Sequence, residues 1–73
     1  MKNKIAIDTM AAATELAVIA NGVEGDVTIT DNNGLRVNAK SLHGDLYAME
    51  FSELWLESEL DIYSLIEKFV VAE

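Results

Sequence analysis

Apolar and polar positions change their period several times along the chain, and each change marks an element. In Lys4-Ile5-Ala6-Ile7 the two isoleucines share one face, which predicts a short strand. From Met10 to Asn21 the pattern becomes helical, with Ala13, Leu16, Ala17 and Ala20 at i, i+3, i+4 and i+7 on an alanine-rich background. Asp8 or Thr9 supplies the N-cap, and Asn21-Gly22 ends the helix, with the glycine expected in the left-handed conformation. Asp26 to Asp31 alternates Val27 and Ile29 with Thr28 and Thr30, the pattern of a strand with a polar outer face. Asn32-Asn33-Gly34 predicts a hairpin turn, because these residues tolerate positive φ. An antiparallel strand follows from Leu35 to Lys40, turning Leu35, Val37 and Ala39 inward. Ser41 is placed to cap a helix of about two turns carrying Leu42, Leu46 and Met49 at i, i+4 and i+7. Glu53 to Glu57 predicts a fourth strand with Leu54 and Leu56 inward. Asp61 then caps a last helix with the stripe Ile62, Leu65, Ile66 and Phe69.

The order is β-α-β-β-α-β-α. Short antiparallel strands with interleaved one-faced helices can bury those faces only against one side of a sheet. An α+β fold is therefore expected, an open-faced sandwich with a four-stranded antiparallel sheet under three helices. Its far side would show Thr28, Thr30, Arg36, Asn38 and Trp55.

Composition narrows the class. The 73 residues make one small domain, in which only about 60% of the unfolded surface is buried and each large apolar side chain counts. A hydrophobic content of 51% without proline argues for compact order. No stretch approaches the roughly 20 apolar residues of a membrane span, and no leader is expected after Met1-Lys2-Asn3-Lys4. Without cysteine there is neither a disulfide framework nor thiolate chemistry, so a cytoplasmic protein is expected. Thirteen acidic against five basic residues give a net charge of −8, which disfavours nucleic acid and anionic membranes as partners and suits a basic protein surface. The same charge also serves solubility.

The string Val37-Asn38-Ala39-Lys40-Ser41 with Gly44 resembles a segment of HPr, the histidine-containing phosphocarrier of the sugar phosphotransferase system. The element order is also the order of that family, and the likeness extends over nearly the whole chain. In HPr the turn before the first helix carries the phosphoacceptor histidine within a G-[IL]-H-A-R-P-A motif. Laying Ala13-Thr14-x-Leu16 on the family's first helix puts Thr9 where the histidine belongs, Ala11 at the arginine and Ala12 at the proline. Threonine has no imidazole nitrogen to form a phosphoramidate, so the resemblance implies a scaffold without carrier activity at that place. Ser41 matches the serine that a dedicated kinase phosphorylates in HPr and in its histidine-lacking relative Crh. There a phosphate would meet helix amides with Lys40 adjacent. An N-cap serine, however, needs no further purpose. Leu42 and Leu46 keep part of the apolar patch that family kinases read, whereas His43 and Asp45 replace apolar residues. In the family the starts of the first two helices lie side by side as the docking face, which here means Thr9, Met10, Ser41, Leu42, His43 and Leu46.

Other chemistry finds little support. His43 is the only histidine, so neither a metal site nor a histidine-based triad can be built around it, and no cofactor is expected. Glu50, Glu53, Glu57, Glu59 and Asp61 read as a solvated acidic rim rather than a paired acid and base. The expected function is thus non-catalytic: an HPr-like module that binds another protein, such as a kinase, a transporter component or a transcription regulator, with Ser41 as a regulatory position. Two alternatives remain open at this point, a phosphocarrier using His43 and a structural or oligomerising domain.

Overall fold

The computed structural model describes residues 1–72. It contains strands β1 (Lys2–Ile5), β2 (Val27–Thr30), β3 (Arg36–Asn38) and β4 (Leu54–Ser58) and helices α1 (Met10–Asn21), α2 (Leu42–Ala48) and α3 (Tyr63–Ile66), with a 3-10 turn at Glu67–Phe69. The strands form one antiparallel sheet in the order β1-β4-β2-β3. Ile5, Val27, Ile29, Leu54 and Leu56 on its inner side join Leu16, Ala13 and Ala20 of α1, and Ile62, Ile66 and Phe69 of the C-terminal segment, in a single apolar core. The architecture is α+β, with helices on one side of the sheet and the other side open. Among the described residues, no helix is long and apolar enough to cross a membrane.

The expected stripe of α1 is buried at all four positions. Thr9 is the residue that caps it, its side chain accepting from Ala12 N–H at 3.0 Å. Several boundaries fall elsewhere than the pattern predicts. β1 begins and ends two residues early, because its ladder with β4 closes at the Ile5–Leu54 pair and Ala6 N–H turns instead to Phe69 O at 2.9 Å. Gly22 has φ −83°, an ordinary right-handed value, and the left-handed backbone falls at Gly25 (φ 84°). The helix end is held instead by the Asn21 side chain, which donates to Ala17 O at 2.7 Å.

The turn between β2 and β3 does take positive φ, at Asn32 and Gly34. Asp31 organises it, one carboxylate oxygen accepting from Asn33 N–H at 2.7 Å and Leu35 N–H at 3.1 Å. Leu35 is thereby kept in the turn and exposed, so the inward set predicted for β3 shrinks to half-buried Val37 and buried Ala39. In the C-terminal segment Asp61 accepts from Tyr63 N–H at 3.1 Å, but the regular helix lasts one turn before tightening. Ile62, Ile66 and Phe69 reach the core, whereas Leu65 is 52% exposed, since so short a helix buries only a narrow stripe.

The open side of the sheet also departs from expectation. Trp55 lies directly opposite both Lys4 and Thr30. Thr30 is only 4% exposed although its strand phase points it outward, on the same side as its cross-strand partner Trp55. Lys2 and Lys4 stand 5.5 and 6.0 Å from the centre of the Trp55 ring, within reach of a cation–π attraction. Arg36 Nη2 pairs with a Glu57 oxygen at 2.7 Å, and Lys4 approaches Glu53 at 3.7 Å. Two members of the expected solvated acidic rim are therefore engaged by cations here.

Candidate functional site

Ser41 opens α2 with extended backbone (φ −91°, ψ 122°), and its Oγ accepts from Gly44 N–H at 3.1 Å. That bond satisfies one of the amides that the first helical turn leaves without a partner. Gly44 is required by close approach: a Cβ there would lie 2.8 Å from the Asn38 carbonyl oxygen. The first turn of α2 is thus pressed against the end of β3. Lys40, just before the cap, is fully committed. Its N–H donates to Asn38 Oδ1 at 2.9 Å, its Nζ to Val23 O at 2.8 Å, and its carbonyl accepts from the Asn21 amide at 2.8 Å. The ammonium expected beside Ser41 is therefore held by a backbone carbonyl next to the end of α1.

Ser41, Leu42 and His43 are exposed together, Leu46 is half-buried, and Thr9 and Met10 are exposed at the start of α1. The side-by-side helix starts implied by the resemblance are not what the geometry gives. The Asn21–Lys40 bond sets the C-terminal end of α1, rather than its start, beside Ser41. Twelve residues of helix separate Thr9 from Asn21, about 18 Å. α2 then runs back along α1, so that Met49 and Phe51 share a cleft of about 390 Å³ with Ile7 and Asp8, next to Thr9. The candidate residues form a strip along two antiparallel helices, with Ser41, Leu42 and His43 at one end and Thr9 and Met10 at the other.

The residue that pattern reading passed over is Asp45. It is 0% exposed, on the inner face of α2 one turn before buried Ala48, and among the described residues neither carboxyl oxygen has a hydrogen-bond partner. Burial away from water penalises the charged form and pushes the carboxyl from 3.8 up to about 7. A sequence signal did exist. Asp45 is three residues after Leu42 and four before Met49, so it falls inside the apolar stripe rather than opposite it.

No family model, curated protein or solved structure matches this chain.

Proposed function

We propose that the chain is a non-catalytic, HPr-like protein-binding module, acting in the cytoplasm, whose docking surface is the strip along α1 and α2. The observation that carries this reading is the exposure of large apolar side chains on two neighbouring helices. Met10 and Val18 on α1 are each 68% exposed, and Leu42 and Tyr47 on α2 are 40% and 50% exposed. Single exposed apolar residues are ordinary, but a set on adjacent helices supplies the apolar centre that a protein interface needs. With a net charge of −8, the partner best suited is a protein with a basic surface around an apolar patch. A kinase, a transporter component or a transcription regulator would all answer to that description.

Phosphorylation of Ser41 is the proposed regulator, since it would place a dianion in the exposed group Ser41, Leu42 and His43. The test is affinity capture with the wild-type chain and with Leu42→Asp, Met10→Asp and Ser41→Asp. All three positions are exposed, so the fold should survive each change. A partner retained by wild type and lost by Leu42→Asp and Met10→Asp supports the docking strip. Identical partner sets for all four proteins would remove it, and an unchanged set for Ser41→Asp alone would remove the regulatory part.

A further inference from the structure

We propose that α2 is a releasable element, seated against α1 and the sheet while Asp45 is neutral and lifted away when that carboxyl loses its proton. The helix has seven residues, too few to be stable without tertiary packing. Its fully buried inner face is Asp45 and Ala48, one carboxyl and one methyl, with Leu46 and Met49 packing only partly on the core. An ionised carboxylate in such a place, with neither oxygen hydrogen-bonded among the described residues, is strongly disfavoured. Seating and ionisation therefore oppose each other.

Among the described residues, no charge on the surrounding elements relieves the conflict. The principal neighbours of α2 are α1, β2 and β3. α1 has one ionisable side chain, Glu15, which is exposed and paired with Lys68. β2 has none. β3 has Arg36, which is exposed and bonded to Glu57 on the open side of the sheet. On α2 itself His43 and Tyr47 are exposed, Glu50 just beyond it is exposed, and the Lys40 ammonium before it is held by Val23 O. Release would uncover the face of α1 against which α2 packs and would carry Ser41, Leu42 and His43 with it. This device regulates the presentation of the docking strip if that reading holds, but its seating equilibrium exists without any partner.

Amide hydrogen exchange of the intact chain between pH 5 and pH 8, corrected for intrinsic exchange, tests it in wild type and in Asp45→Asn, with Asp45→Leu as a second variant. With one proton released on opening, the α2 amides of wild type should lose protection about tenfold per pH unit from pH 5 to pH 7 and level off above, about a hundredfold in all. α1 and β2 should keep their protection, and α2 in both variants should change little. Equal α2 protection in wild type and variants across the range would overturn the proposal. So would a loss of protection shared by every element, which would mean global rather than local opening. Neither readout involves a partner, so failure here is separable from failure of the capture experiment.

Discussion

Replacing Asp45 with asparagine should change how stability depends on pH more than it changes stability itself. The side chain keeps its shape but can no longer ionise. In the folded chain the Asp45 carboxyl titrates near 7 rather than 3.8, so the native state holds this proton more tightly than the unfolded chain does. A raised carboxyl contributes nothing unfavourable below the unfolded value, and its penalty grows as pH rises from about 4 to 7. At 1.36 kcal/mol per pH unit, a separation of roughly three units amounts to about 4 kcal/mol when complete. From pH 5 to pH 8 the two-state relation gives a loss of up to about 2.5 kcal/mol, less where α2 opens before the rest. For a domain of this size that is a large share of a total stability of order 5 kcal/mol. The assay is urea unfolding of wild type and Asp45→Asn at pH 5, 6, 7 and 8, followed by Trp55 fluorescence. At pH 5 the variant could stand lower, since an unpaired buried amide costs about 1–3 kcal/mol. The decisive quantity is the difference between the two proteins, which should move in favour of the variant by up to about 2.5 kcal/mol over the range. Parallel pH profiles would show that Asp45 binds its proton no more tightly in the folded chain than in the unfolded one.

Three further outcomes concern the same region. Gly44→Ala should destabilise by about 1–3 kcal/mol, read in thermal melts, because the new methyl meets the Asn38 carbonyl at 2.8 Å and neither backbone can yield cheaply. Ser41→Ala should cost about 1 kcal/mol through loss of the cap to Gly44 N–H, while Ser41→Asp, itself a capping residue, should cost much less. That contrast separates a stability effect from a docking effect in the capture experiment. Arg36→Ala should alter stability by no more than about 1 kcal/mol in urea unfolding, since its ion pair with Glu57 is exposed on the arginine side.

Where a helix is long enough to repeat its pattern, the sequence was readable. α1 has three turns, and its buried set, cap and span follow from the spacing of Ala13, Leu16, Ala17 and Ala20. The β2–β3 turn was legible through Asn32 and Gly34, and the α2 cap through Ser41, because each depends on local backbone chemistry. Short elements were less readable. In α2 and α3 a single turn or two cannot distinguish the centre of a stripe from its margin, and Leu42 and Leu65 proved exposed. Asp45 was missed for a different reason: hydropathy assigns a carboxylate to the surface, and only its phase between Leu42 and Met49 argued otherwise. The contacts of Lys2 and Lys4 with Trp55, and of Arg36 with Glu57, were hidden because they form only through the strand order β1-β4-β2-β3. Likewise, the resemblance named the docking residues, but which ends of α1 and α2 adjoin depends on one long-range bond from Asn21 to Lys40.

What lets α2 stay seated is an uncharged acid at its centre. Carbon-detected NMR of the Asp45 side-chain carboxyl across pH 3 to 9 reads that state directly. A midpoint raised well above 3.8, up to about 7, is the result the structure predicts. A midpoint near 3.8, with α2 still protected from exchange above it, would show that the helix seats equally well over a charged Asp45.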